Sequence, residues 1–399
     1  MKQYIFILGH STDLAKQEII NIIGVKQGSI TTIGANFVVA SNPLEAPALM
    51  SILGGTVKIA EVLARDKNID QLNSDEWLSY LETELKHTKK NNFGFSLYDA
   101  PRSVYSQLYQ LALELKKKLQ AQKYKARLVS SRSLELSSVI ITKNDLTNKE
   151  LVLVQHKNKY LLGLTRAVQD FAKYSVRDYD RPGRDDRSGL LPPKVAQMMI
   201  NLAGPDRSKT ILDPFCGSGT LLQEAWLLGF KKIIGTDSNA QAISDSRQNL
   251  QWLKNKFFLP GSVDLAVCDV KNIASQIKNN SVDLIVSEPF MGPAAWVQRQ
   301  TAAPSLLPLI DELSLLYQEA FRQFHLILKK SGQIVFVFPL FNLSGQKLPV
   351  LDPKKIETIG FRMIRPDISS DKLSARGNLV YSREGQKVQR EITVWIKIA

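Results

Sequence analysis

Asp213-Pro214-Phe215-Cys216-Gly217-Ser218-Gly219-Thr220 is the stretch from which the rest of this chain is read. Apolar Thr210-Ile211-Leu212 leads into it, and Leu221-Leu222-Gln223-Glu224-Ala225-Trp226-Leu227-Leu228 follows. A strand that closes on an acid, turns on spaced glycines and opens a helix is how an α/β sheet makes a cofactor crevice. Gly217 and Gly219 can take positive φ and keep side chains out of a ligand's way. A second acid ends Ile233-Ile234-Gly235-Thr236-Asp237, about 20 residues on, where a carboxylate accepts hydrogen bonds from ribose hydroxyls. A third, Asp269, closes Val263-Asp264-Leu265-Ala266-Val267-Cys268-Asp269. An ordinary strand-turn-helix in a nucleotide-free domain is the bland alternative, and three acids at successive strand ends weigh against it.

The loop lacks the Gly-x-Gly-x-x-Gly spacing that cradles a pyrophosphate. Asp213-Pro214-Phe215 instead closely resembles the opening motif of methyltransferases that modify exocyclic amines of nucleobases. That resemblance implies S-adenosylmethionine as cofactor. It also implies Asp213, Phe215, Gly217, Gly219, Asp237 and Asp269 as the cofactor-binding set, with Asp269 near the adenine edge.

Composition bounds the remainder. The chain has 399 residues, enough for two or three domains with proper cores. Its N-terminal apolar run, Tyr4 to Leu8, is too short for a signal peptide, and no window approaches a membrane span. Cys216 and Cys268 are the only cysteines, and His10, His87, His156 and His325 are scattered, so neither a disulfide framework nor a metal centre is indicated. A cytoplasmic protein without metal is the expectation.

The net charge is +14, unevenly spread. Residues 101–200 hold 19 Lys and Arg against 9 Asp and Glu, whereas 201–350 hold 14 against 12. The basic excess thus precedes the cofactor loop, and such a patch suits a polyanion, because neutralised phosphates release counterions. Lys116-Lys117-Lys118 alone reads as a solvated helix face. Clustered with Lys123, Lys125, Arg127 and Arg132, it favours nucleic acid.

Before residue 170 the pattern is two small α/β units. Strands are expected at Tyr4–Leu8, Phe37–Ala40 and Val57–Leu63, with helices at Thr12–Ile23 and Pro47–Leu53, a βαββαβ-like ferredoxin-type module. In the second unit Ser74 is expected to cap a helix over Asp75–Lys86. A strand follows at Phe93–Tyr98, then a helix from Val104 to about Ala121, strands at Arg127–Val129 and Val139–Ile141, and a hairpin of Leu151–Val154 with Tyr160–Leu164. Arg127, Leu136-Ser137-Ser138-Val139 and Lys143-Asn144-Asp145-Leu146 resemble a THUMP RNA-binding domain, and Leu53-Gly54-Gly55-Thr56-Val57-Lys58-Ile59-Ala60 its N-terminal companion in tRNA methyltransferases. Tyr174-Ser175-Val176-Arg177-Asp178-Tyr179-Asp180-Arg181-Pro182, through Leu191-Pro192-Pro193-Lys194, is similar to the connector of the same proteins.

The resemblance is to THUMP-containing tRNA guanosine 2-amino methyltransferases, whose family target is guanosine at position 10 of tRNA. It implies an α/β fold: a Rossmann-like class I methyltransferase domain at 193–399, preceded by a ferredoxin-like domain at 1–68, a THUMP domain at 69–168 and a linker at 169–192. With the basic clustering, the expected RNA contacts are Lys116, Lys117, Arg127 and Arg132, together with Arg177 and Arg181 of the connector.

Amine methyltransferases carry Asp or Asn, Pro, Pro, then Tyr or Phe after the fourth strand. Here Val282-Asp283-Leu284-Ile285-Val286 leads into Ser287-Glu288-Pro289-Phe290, so the family pattern is broken at its acid. An aromatic amine is a poor nucleophile, and acceptors on its hydrogens help localise the lone pair. Phe290 can stack on a flipped base, Pro289 stiffens the loop, and the Glu288 carbonyl stands where the first proline's would be. Ser287 can accept a hydrogen bond without a carboxylate's charge, and Glu288 can substitute by turning toward the amine. Ser287, Glu288, Pro289 and Phe290 are therefore the catalytic candidates; an exposed loop acid, or one paired with a linker arginine, is the plain alternative for Glu288. Next, Met291-Gly292-Pro293 opens a substrate-side loop in which Trp296 is read first as packing. Helix Leu306–Leu328 and strands Ile334–Phe338 and Glu391–Ile398 complete a doubly wound sheet with an antiparallel edge.

The expectation is an S-adenosylmethionine-dependent methyltransferase acting on a guanosine 2-amino group of tRNA, without membrane attachment. Two readings stay open beside it. One is a DNA amine methyltransferase; the other is a non-catalytic RNA-binding protein with a degenerate loop, or its milder form, an enzyme needing an activating protein subunit.

Overall fold

The structure, a computed structural model, describes every residue except 25–27, 86–89, 184–190, 294–302, 344–345, 384–385, 387 and 399. The chain divides into two units, Met1–Lys173 and Tyr174–Ala399.

The first unit is built on one sheet. Its strands are β1 (Lys2–Leu8), β2 (Ser29–Ile33), β3 (Phe37–Asn42), β4 (Thr56–Lys67), β5 (Lys90–Tyr98), β6 (Lys125–Val129), β7 (Glu150–His156) and β8 (Lys159–Val168), in the order β2-β3-β1-β4-β8-β7-β5-β6. The β4–β8 pairing is antiparallel and joins the two halves of the unit into this sheet. Helices α1 (Thr12–Ile23), α2 (Ala46–Ile52), α3 (Ser74–Leu81), α4 (Arg102–Ala121) and α5 (Ser138–Lys143) accompany them. On α4, Leu108, Ala112, Leu115 and Leu119 form a buried stripe at helical spacing that packs with Trp77, Phe93, Phe95 and Leu97.

Buried ions pin the unit together. Glu18, fully buried, accepts the backbone N–H groups of Gly54 (2.8 Å) and Gly55 (2.9 Å), fixing the turn into β4. Lys58 donates to Glu150 Oε1 (2.5 Å), Ser96 Oγ (3.2 Å) and the Leu136 carbonyl (3.3 Å). Ser96 and Thr165 donate to the same carboxylate. Four strands and the segment after β6 thus meet at one ion pair.

Three local expectations change. Val139-Ile140-Ile141, apolar and β-branched, is not a strand but part of α5. The Ser137 hydroxyl accepts from the Ile140 N–H, and Ile141 packs with Val129, Leu136 and Leu146. Capping and tertiary packing outweigh strand propensity there. Asn73, not Ser74, caps α3 by accepting from Glu76 N at 2.8 Å, and α3 ends at Leu81 before a 3-10 turn, Glu82–Glu84. The short edge strand β2 has no strong sequence signal.

The second unit holds α6 (Phe171–Tyr179, mostly within it), α7 (Pro193–Leu202), β9 (Thr210–Asp213), α8 (Thr220–Leu227), β10 (Lys232–Asp237), α9 (Ala240–Phe257), β11 (Asp264–Val267), α10 (Ile273–Gln276), β12 (Val282–Ser287), α11 (Ala303–Ile327), β13 (Leu328–Leu343), β14 (Gln346–Pro349), α12 (Lys354–Glu357), β15 (Phe361–Ile364), β16 (Leu379–Tyr381) and β17 (Val388–Lys397). The sheet runs β11-β10-β9-β12-β13-β17-β15; β11 through β13 are parallel, and β17 lies antiparallel to β13 and β15. The chain steps outward from β9 to β11, then returns to β9's other side as β12. That reversal opens a crevice at the carboxyl ends of β9 and β12. Behind it, Tyr317, Phe321 and Phe324 of α11 pack with Phe336, Phe338 and Trp395 as an aromatic core, with ring centroids 5.1–6.3 Å apart.

Candidate active site

The glycine loop is shaped by its own backbone and by one helix. Gly217 and Gly219 sit at φ +51° and +84°, left-handed conformations that side-chain-bearing residues resist. A Cβ on Gly219 would lie 2.7 Å from Ser246 Oγ, so α9 itself requires glycine there. A Cβ on Gly217 would meet nothing within 4 Å, so that side of the loop is open. Asp237 accepts the Gly217 N–H (3.0 Å) and its own helix-side Asn239 N–H (2.9 Å), tying the ends of β9 and β10 together while staying partly exposed. Asp269 is exposed at the end of the next strand and accepts from Lys271 N at 2.9 Å. Phe215 is half-buried, edge-on to Phe336.

Asp213 behaves differently from its expected role. It is 3 % exposed, and its Oδ1 accepts the Ser287 hydroxyl (2.6 Å) and the Phe215 N–H (3.2 Å). Burial pushes its carboxyl up to about 7, with Asp237 and Glu288 adding in the same direction and the two hydrogen bonds opposing. Its side chain is directed into the protein between β9 and β12, not into the open crevice.

Ser287 is correspondingly corrected as an acceptor aimed at substrate: it is fully buried, its proton given to Asp213. The next residue, Glu288, lies just past the end of β12, its side chain 12 % exposed. Its partner is not a linker arginine. Arg390 of β17 places Nε and Nη2 each 2.8 Å from Glu288 Oε1. Burial raises the Glu288 carboxyl above its ordinary range, and Arg390 opposes that rise. Pro289 is buried and Phe290 is 49 % exposed. The Phe290 carbonyl accepts the hydroxyl of buried Tyr317 at 2.6 Å. Thus the loop is fastened from below by Asp213, from the side by Arg390 and from α11 by Tyr317. Trp296 lies outside the described residues.

Arg177 and Arg181 do not meet the expectation of free RNA contacts. Both are buried in the second unit. Arg177 Nε donates to Glu224 Oε1 (2.6 Å) and Nη2 to Oε2 (3.2 Å), while Arg181 donates to Thr220 Oγ1 (2.6 Å). Asn249 donates to the carbonyls of Gly183 (2.7 Å) and Ser218 (2.8 Å). The connector therefore braces the glycine loop and α8, a role that net charge cannot distinguish from phosphate binding. By contrast Lys117, Lys125, Arg127 and Arg132 are exposed and Lys116 half-buried. Lys125 and Arg127 alternate with buried Ala126 and half-buried Leu128 on the edge strand β6, against which α4 packs. Among the described residues no cluster of His, Cys, Asp and Glu could hold a metal ion, and no helix is long and apolar enough to cross a membrane.

Comparison with known proteins points the same way. Residues 181–342 match an RMKL-like methyltransferase domain, and residues 53–248 a DNA methylase family. The chain is 32 % identical over 152 residues to tRNA (guanine(10)-N2)-dimethyltransferase of Methanothermobacter thermautotrophicus, covering 38 % of this chain and 39 % of that one. With the enzymes of the same name from Methanocaldococcus jannaschii and Pyrococcus abyssi it shares 26 % over 205 residues and 28 % over 195, or 51 % and 49 % of this chain and 52 % and 48 % of theirs. The chain thus spans about half the length of these curated relatives, or less. Its fold matches that of TrmN from Thermus thermophilus over 99 % of this chain and 100 % of that one, with a TM-score of 0.56 at 15 % identity.

Proposed function

We propose that this chain is an S-adenosylmethionine-dependent methyltransferase acting on the exocyclic 2-amino group of a guanosine in tRNA. The observation that carries the reading is the crevice at the β9/β12 reversal. A glycine loop and two strand-end carboxylates face it from one side, and a fastened Glu-Pro-Phe loop from the other. The open side of Gly217 leaves room for a cofactor against the backbone, with Asp237 suited to its ribose hydroxyls and Asp269 to its adenine edge. When bound, S-adenosylmethionine supplies an electrophilic methyl on a sulfonium.

The remaining work falls to the chain's own residues. Phe290, half-exposed, offers a face on which a flipped guanine stacks. Acceptors at Glu288, side chain and carbonyl, take hydrogen bonds from the amine and localise its lone pair. The N–H proton that the amine gives up on methylation would pass through the Glu288 acceptor to water.

The first unit supplies the RNA grip. Its first half follows the order of a ferredoxin-like module, residues 1–68, and we assign residues 69–168 to a THUMP domain, 169–192 to the linker and 193–399 to the methyltransferase domain. Lys116, Lys117, Arg127 and Arg132 suit phosphate contacts because all reach solvent. A tRNA substrate fits a cytoplasmic enzyme. A second reading, transfer to a DNA base amine, draws on the DNA methylase match at residues 53–248; competition between tRNA and duplex DNA separates the two.

The test is transfer of labelled methyl from S-adenosylmethionine to unmodified tRNA. Incorporation that Gly217→Asp abolishes supports the reading. Intact cofactor binding without incorporation, alone or with cell extract supplying an activating subunit, overturns it.

A further inference from the structure

We infer that Arg390 is a positioning residue for the transfer: it holds the Glu288 carboxylate at the crevice mouth, so that Glu288 accepts the target amine's N–H in place of the acid missing at residue 287. The inference deepens the methyltransferase reading and rests on it.

Three observations lead here. Ser287 is fully buried and its proton is committed to Asp213, so its side chain faces away from a substrate. Glu288 follows it at the strand's carboxyl end, and the buried Pro289 and the Tyr317 hydroxyl on the Phe290 carbonyl hold the backbone on its far side. Finally, Arg390 comes from β17, two strands from β12 across β13, and its Nε and Nη2 converge on Oε1. The guanidinium in turn lies over the Tyr381 ring, 5.8 Å from its centroid. A forked donor held on both sides sets a carboxylate's direction as well as its charge.

A plain staple between β12 and β17 is the competing explanation. An apolar pair would staple those strands at least as well, since buried ion pairs seldom repay their desolvation. Position argues further: the pair sits on the loop that carries Phe290, beside the glycine loop's acid.

Among the described residues, the charged and titratable groups that act on Glu288 or feel it are Arg390 from β17, Asp213 from β9 and Tyr317 from α11. Arg390 is the cation among these three. Without it, burial and Asp213 act together and Glu288 takes up its proton at higher pH, which removes the acceptor. Loss of a mere staple would move the same titration and change stability, but would leave the transfer rate and its pH profile where they are.

The experiment uses the full chain. Glutamate carboxyls are labelled with carbon-13, Glu288 is assigned by its absence in Glu288→Gln, and its titration is followed without cofactor or RNA. In parallel, single-turnover methyl transfer to tRNA is recorded against pH. In Arg390→Gln the Glu288 midpoint moves to higher pH and the acid side of the rate profile moves with it. The rate near neutral pH falls up to about 100-fold, with KM for S-adenosylmethionine nearly unchanged. Arg390→Lys, which keeps the charge, restores the midpoint toward wild type but only part of the rate.

A Glu288 midpoint unmoved by Arg390→Gln overturns the inference whatever the substrate proves to be. So does a Glu288→Ala variant that transfers at the wild-type rate. A moved midpoint with a moved rate profile, on a base other than guanine, upholds the inference while refuting the guanosine reading.

Discussion

Replacing Asp213 by Asn should make the second unit's stability less dependent on pH, in a direction and amount that follow from the geometry. Asp213 is buried and accepts from Ser287 Oγ and Phe215 N on the same oxygen. An asparagine oxygen can accept both, so the substitution removes only the ionisable proton. In the folded protein the carboxyl titrates near about 7, against 3.8 for the free side chain. Between those values the native state binds more protons than the unfolded one. This group's contribution is therefore full below the unfolded value and is lost as pH rises through the folded one. From about pH 5.5 to about pH 8.5 the wild type crosses roughly 1.5 pH units of that window, worth about 2 kcal/mol at 1.36 kcal/mol per unit. Asp213→Asn lacks this loss.

The assay is urea-dependent hydrogen exchange of the β9 and β12 peptides for both proteins at the two pH values, which reads the second unit by itself. Wild type should weaken by about 2 kcal/mol more than the variant over that range, with other titrating groups largely cancelling in the difference. A double difference under about 0.5 kcal/mol would refute the protonated Asp213.

Three further outcomes follow from particular contacts. Lys58→Met strands the fully buried Glu150 and should cost the first unit about 3–5 kcal/mol by hydrogen exchange of β5 and β7, with Lys58→Met/Glu150→Leu recovering much of it; a cost below about 1 kcal/mol contradicts the ion-pair pin. Gly219→Ala combines a left-handed backbone with a contact to Ser246. It should weaken S-adenosylmethionine binding at least tenfold in a calorimetric titration while destabilising the unit by about 1–2 kcal/mol, and unchanged affinity would place the cofactor elsewhere. Removing Lys125 and Arg127 together should lower the slope of log K against log salt for tRNA by about 2, and an unchanged slope removes β6 from the RNA surface.

How far the sequence could be read depended on whether the information was local. The β9 loop, its glycines and the three strand-end acids lie within one continuous stretch, and the turn chemistry that shapes them is short-range; the structure puts the loop where the spacing implies. Helices α4 and α11 carry long apolar periods and were equally readable. What failed was decided by distant partners. How the side chains of Ser287 and Glu288 are held depends on Asp213, 74 residues away, and on Arg390, 102 residues away. Arg390 and Tyr317 carry no signal of their own in the sequence: one is an arginine among the polar neighbours Gln389 and Glu391, the other a single tyrosine in a largely apolar helix. The arginines of the connector look alike in composition whether they meet phosphate or a buried glutamate. In α5 a β-branched run became helix because a serine capped it and a hydrophobic cluster received one of its faces. The loop after β12 departs from the amine-methyltransferase pattern: its acid, Glu288, stands one residue later, and only the arrangement of three strands shows what holds it.

The most direct trial of the account is the identity of the nucleoside it makes. Unmodified tRNA would be incubated with the protein and S-adenosylmethionine, digested to nucleosides and examined by mass spectrometry against authentic standards. The account predicts guanosine carrying methyl on its 2-amino nitrogen, formed by wild type and lost in Gly217→Asp. Methyl on an adenine or cytosine amine, or none on any tRNA base while the cofactor still binds, would contradict it.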